Sequence, residues 1–233
     1  MTLSFVLSLS ILLPLTIGLI RFKTIQTSYH PFIVLIALGA LTEFASSFSI
    51  RRFNTNAEVT NVFLLLECML ILYQFYRWRF YIKPKQWYWI VPAIFLVGWI
   101  VQNLVFSKFS EFSPFFHVAY SFVVVMLSIN EINYLITHEN RQLFRNARFL
   151  ICLGFIIFFI YQILYEGSYY ISSTEKRSAI AKTITSYAAY INVLTNIIFA
   201  VAIWFIPEKK FDFDRTMESL KEQQRRSGAK LPP

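Results

Sequence analysis

Residues 86–107, QWYWIVPAIFLVGWIVQNLVFS, carry no charged side chain, and neither do residues 183–207, TITSYAAYINVLTNIIFAVAIWFIP. A helix needs about 20 mostly apolar residues to cross the ~30 Å hydrocarbon core of a bilayer, because each residue advances ~1.5 Å. Both stretches meet that length. Working outward, five further apolar runs stand at about 2–20, 31–50, 59–77, 113–136 and 148–167. With 87–107 and 183–206 they predict an all-α, polytopic transmembrane bundle of about seven spanning helices over residues 1–207, followed by a tail at 208–233.

Composition agrees with lipid as the solvent. Charged residues make up 15% and hydrophobic residues 56% of 233, with 25 Phe and 13 Tyr, whereas a soluble domain is about one quarter charged. A globule of this size has too little interior to hide so much apolar surface. The net charge of +9 would suggest nucleic acid in a soluble protein. Here the basic residues lie between apolar runs, as charges flanking spans do, so no nucleic-acid role is expected. Cys68 and Cys152 fall inside apolar runs at different depths. A disulfide needs Cα atoms within about 7 Å, so both are expected to be free thiols.

The charges also orient the chain. Residues 1–20 are uncharged and Arg21 and Lys23 follow them, the reverse of a secretory signal, which reads as a retained span. Cytoplasmic placement of the connections after spans one, three and five, and of the tail, puts sixteen of the 22 basic residues on that side. Six stay opposite: Arg51, Arg52, Lys108, Lys176, Arg177 and Lys182. By the positive-inside rule the N-terminus is outside and the C-terminus cytoplasmic. Trp78, Trp87, Trp89 and Trp204 then form a cytoplasmic interfacial belt, and Glu131 snorkels to the same interface.

Residues 168–182, SYYISSTEKRSAIAK, read as a polar external loop. In the tail, Asp212, Asp214 and Glu218 precede Arg225 and Arg226, which suits a helix macrodipole. Phe213, Met217 and Leu220 fall on one apolar stripe, either resting on the membrane or docking a partner. Spans two (PFIVLIALGALTEF) and six (ARFLICLGFIIFF) begin alike, and Asn61-Val62 in span three matches Asn192-Val193 in span seven. That leaves open a three-plus-one-plus-three repeat of the kind some transporters use.

Polar groups inside the spans carry the functional reading, since ionisable side chains in hydrocarbon face the bundle interior or a wet cavity. Glu43 lies roughly 10 Å and Glu67 roughly 12 Å below the external end of spans two and three. Asn192 and Asn196 share one face of span seven with Thr185 and Ala189. His117 and Tyr120 on span five, Gln102 and Asn103 on span four, and Tyr161, Gln162, Tyr165 and Glu166 on span six occupy the same outer half. These positions predict an outward-opening pocket walled by spans two, three, six and seven, with Glu43, Glu67, Asn192, Asn196, Gln162, Glu166 and His117 as ligand-binding candidates. The alternative for each amide and acid is interhelical hydrogen bonding.

No catalytic or cofactor motif is present. There is no H-E-x-x-H, G-x-S-x-G or phosphate-cradling glycine loop, and His30, His117 and His138 lie at separate depths, so neither a metal nor a cofactor is expected.

The stretches LLPLTIGLIRFKTI at 12–25, ALTEF at 40–44 and NVLTNIIFAVAIWF at 192–205 resemble those of small seven-helix inner-membrane proteins of bacteria. The architecture is similar to the seven-helix input modules of bacterial signalling receptors. The resemblance implies a bacterial inner-membrane location and, with about 26 residues after the last span, a signal passed to a separate partner. Three readings stay open: a non-enzymatic receptor or accessory subunit among membrane lipids, a small-solute or proton-coupled transporter, and a lipid-modifying enzyme using Glu43 or Glu67 as acid or base.

Overall fold

The structure, a computed structural model, describes residues 7–78, 87–106, 109, 111, 114–138, 142–171 and 175–209, with the backbone alone at 87, 88, 106, 169–171 and 175–181. The stripe Phe213, Met217 and Leu220 lies outside the described residues. Seven α-helices run through the described residues: α1 (Leu12–Arg21), α2 (His30–Phe53), α3 (Ala57–Trp78), α4 (Trp87–Val101), α5 (Pro114–His138), α6 (Ala147–Ile171) and α7 (Glu175–Trp204). The β pairing among them is one isolated bridge, Ile25 to Glu208.

Five helical segments are long and apolar enough to cross a membrane: Thr27–Phe53, Ala57–Trp78, Pro114–His138, Ala147–Ser168 and Lys182–Trp204. The chain is therefore a multi-pass membrane helix bundle. Its outer faces carry exposed Ile20, Leu41, Phe48, Ile94 and Leu104, an apolar exterior that water would not tolerate on this scale.

Two further apolar helical segments among the described residues are shorter, Leu9–Arg21 and Trp89–Val105, and each contains a proline. Regular α1 begins at Leu12 after the 3-10 turn Leu9–Ile11, with Pro14 in its first turn, where proline is best tolerated. In α4, Pro92 stands inside the helix, and beyond Val101 the chain widens into a π-helical turn, Gln102–Phe106. That turn is held by its own amides. Asn103 donates to the Trp99 carbonyl, and the Phe116 N–H donates to Gln102 Oε1 at 2.7 Å.

Three expectations are corrected. The polar loop at 168–182 is mostly helix, with α6 reaching Ile171 and α7 starting at Glu175. Glu, Lys, Arg and Ala are strong helix formers, and an acid at the first position complements the positive end of the dipole. Trp78 does not join an exposed belt: it is buried, edge-on to Phe75 and Tyr29 at 5.5 and 5.8 Å. Trp89 and Trp204 are exposed, and the Trp87 side chain lies outside the description. Glu131 does not snorkel. It is fully buried, 3.8 Å from the Arg148 guanidinium, which in turn lies 6.0 Å from the Trp78 ring.

Each helix packs on its neighbours in sequence, and α1 also packs on α7, so the bundle closes on itself. Side chains tie its two ends. Where α1 and α7 finish (the Arg21 end), Arg21 donates to the carbonyls of Ile203, Trp204 and Ile206. Nearby, buried Gln74 of α3 accepts from the Phe32 N–H at 2.9 Å and donates to the Ser28 carbonyl at 2.7 Å, which satisfies one of the orphan amides at the start of α2. At the opposite end, where Asn54 closes α2 in a left-handed conformation, Asn61 donates to the carbonyls of Phe109 and Glu111.

A central aromatic cluster joins the two ends. Phe199 of α7 meets Phe32 edge-on at 5.1 Å and Phe155 at 5.5 Å, geometries that aromatic pairs prefer. Gly154 makes room for it, because a Cβ there would overlap the edge of the Phe199 ring. Glycine to alanine in a helix ordinarily stabilises by up to ~1 kcal/mol. Gly154→Ala should instead destabilise by about 1–3 kcal/mol, read as a lower thermal midpoint of the purified protein in micelles. A raised midpoint would show that the aromatic cluster yields freely.

A cavity between α2, α3, α6 and α7

The bundle encloses a cavity of about 450 Å³. Its deep end is aromatic, built by Phe155, Phe158 and Phe159 from α6 and Phe199 from α7, and Phe63 of α3 adds a ring between Thr60 and Glu67. Towards the Asn54 end the lining turns polar, with Thr42 and Ser46 of α2, Thr60 of α3 and Asn56 in the α2–α3 turn. Helical spacing explains the sorting. Gly39, Thr42, Glu43 and Ser46 recur at three- and four-residue intervals, as do Thr60, Phe63 and Glu67 on α3, so each set shares one helix face.

Residues of α2, α3, α6 and α7 supply most of the lining. Glu43, Glu67, Gln162, Asn192 and Asn196 all reach this cavity. The two carboxylates are held differently. Glu43 is partly exposed and takes a hydrogen bond from the Ser8 hydroxyl. Glu67 is buried, and the Tyr120 hydroxyl of α5 donates to its Oε2. Asn196 Nδ2 donates to Ser10 Oγ at 2.8 Å and lies 3.4 Å from Asn192 Oδ1.

His117 and Glu166 are not among the lining residues. They form a neighbouring pair, His117 Nδ1 to Glu166 Oε1 at 3.0 Å. The His117 ring stacks on Tyr120, centroids 5.3 Å apart. Two hydrogen-bonded pairs, Tyr120–Glu67 and His117–Glu166, therefore stand side by side from the cavity wall across α5 to α6, joined by the His117–Tyr120 ring stack. Gln102 and Asn103, by contrast, serve the α4 turn. The Tyr161 hydroxyl donates to the Ile184 carbonyl, binding α6 to α7 at the cavity's edge.

The segment before α1 supplies a wall that the sequence reading missed. Ile11 lines the cavity against Gly39, while Ser8 and Ser10 engage Glu43 and Asn196. The signal was present, since two serines in a run otherwise fit for lipid need polar partners on another helix. Thr195 was missed too: it is 1% exposed, lines the cavity, and its hydroxyl has no hydrogen-bond partner.

Cys68 and Cys152 are buried free thiols. Among the described residues, no three His, Cys, Asp or Glu side chains gather as a metal-ligand set. Compared with known proteins, the chain matches no family model, no curated protein and no solved structure.

Proposed function

We propose that the chain is a non-enzymatic membrane receptor or accessory subunit. In this reading it spans a bacterial inner membrane seven times, with its N-terminus outside and its C-terminus in the cytoplasm, and it takes a small ligand into the cavity from the outer side. The observation that carries the reading is the cavity itself. At about 450 Å³ it falls within the ~300–1,000 Å³ of small-molecule sites, with apolar walls and a few convergent polar groups. The basic-residue bias supports the orientation, because it sets the Asn54 end outside.

The fold offers a route for a signal. α7 forms the cavity wall at Asn192 and Asn196 and ends at Trp204 in the grip of Arg21. Movement of α7 against a ligand would reach residues 208–233, where Phe213, Met217 and Leu220 are proposed to dock a partner protein. A ligand shifts such an element only through contacts that differ between its two positions, and the lining contributed by four helices provides them.

A second reading, proton-coupled transport, is favoured by the adjacent pairs Tyr120–Glu67 and His117–Glu166. Chains of acids and histidines inside membranes are the usual form of proton relays. Two experiments separate these readings. Reporter fusions at residues 140 and 233 should read cytoplasmic, and one at residue 172 should read external. Removing residues 210–233 should leave an inserted bundle that no longer captures its partner in a pull-down. Solute uptake retained by the truncated bundle, with no partner for the whole chain, would decide for transport.

A further inference from the structure

We propose that the cavity's ligand is an organic cation, an ammonium group on a compact apolar body. The inference rests on the receptor reading and names the chemistry of the site on which it depends. Two carboxylates, Glu43 and Glu67, line the cavity, and no Lys, Arg or His lines it. Among the described residues neither acid forms an ion pair with a lysine or arginine. The salt bridges there engage Glu208, Glu166 and Glu131.

The aromatic end decides the kind of cation. A tightly held metal ion would be expected among gathered carboxylates, imidazoles or thiols, and among the described residues no three His, Cys, Asp or Glu side chains come together. Five phenylalanines face the space instead, and ring faces attract alkylammonium groups that are already stripped of water. Thr195 adds a buried hydroxyl without a partner, and Gln162 and Asn192 add amides, so an ammonium N–H or a ligand hydroxyl would find acceptors. An anion would meet both carboxylates with no counter-charge, and a neutral ligand would leave the acids unused.

The same chemistry arrives either from solution or as the ethanolamine headgroup of a lipid. The test uses the full chain in nanodiscs of phosphatidylglycerol, with 4-phenylbutyl-trimethylammonium as probe. The alcohol and the sulfonate of the same carbon skeleton serve as comparisons, and uptake by empty discs is subtracted. The cation should bind at least about tenfold more tightly than the alcohol, and the sulfonate should not bind. Glu43→Gln and Glu67→Gln should each weaken the cation by about fivefold or more, and by more than they weaken the alcohol, with an unchanged thermal midpoint in micelles showing that each variant is folded. Weaker probe binding in discs containing phosphatidylethanolamine identifies the lipid as the source, and equal binding identifies a soluble amine. Alcohol binding as tight as the cation's, or a cation affinity indifferent to both substitutions, overturns the cation inference and leaves the receptor reading standing. If none of the three compounds binds, both fall.

Discussion

Replacing Arg148 with methionine should destabilise the bundle by about 3–5 kcal/mol, the scale on which breaking a buried ion pair is felt. The Glu131 side chain is 1% exposed and its carboxylate lies 3.8 Å from Arg148, whose own side chain is 25% exposed. The asymmetry sets the direction of the effect. Arg148 can turn towards water or headgroups when its partner is lost, whereas Glu131, buried on α5, cannot reach either and loses the guanidinium that faces it. Methionine keeps the length and bulk of the arginine stem beside Trp78, so most of the packing survives and the loss reports the charge. The paired substitution, Arg148→Met with Glu131→Met, should recover most of the stability, because replacing both members of a buried pair by apolar side chains is often neutral or better. Denaturant unfolding in micelles, followed by tryptophan fluorescence, measures both. A single variant within ~0.5 kcal/mol of the natural protein would mean that the pair contributes nothing.

Glu131 also shows where sequence reading stops. Its place one turn from a span end was legible, but snorkelling and burial differ only by which neighbour stands opposite, and Arg148 is one helix away. Trp78 was misplaced for the same reason: indole position along a span can be counted, while rotation depends on the packing of α3 against α2 and α6. The helices themselves were legible because solvation imposes them on long apolar runs, and among the described residues their bounds moved mainly where α6 extends to Ile171 and α7 begins at Glu175. The cavity was legible as a set of polar residues at one depth. Glu43, Glu67, Gln162, Asn192 and Asn196 converge on it, whereas Glu166 and His117 satisfy one another beside it. Depth is a one-dimensional coordinate, and sequence supplies it. Partnering around the bundle axis is two-dimensional, and the contributions of Ser8, Ser10 and Thr195 belong to it.

Arg21 tests whether that packing carries a signal. Its guanidinium donates to the Ile203 carbonyl at 2.8 Å, to that of Ile206 at 3.2 Å, and to that of Trp204, carbonyls at and just past the end of α7, where the helix no longer supplies i+4 donors. A cation there also opposes the negative end of the α7 dipole. Hydrogen bonds to a charged group contribute roughly 1.5–3 kcal/mol each, and headgroup water would replace part of that, so Arg21→Met should lose about 2–4 kcal/mol. Glu208 lies 3.8 Å away but is 73% exposed, so Glu208→Gln should change stability by less than ~1 kcal/mol. The contrast separates capping from simple charge pairing. Hydrogen exchange localises it: in Arg21→Met the amides from Val201 to Ile206 should exchange faster, while those lining the cavity near Asn192 stay protected. On the receptor reading the variant should therefore bind ligand normally and fail to pass the signal on, since the wall that feels the ligand is no longer fastened where the tail begins. Unchanged exchange at Val201–Ile206, or partner capture that still responds to ligand, would remove Arg21 from that route.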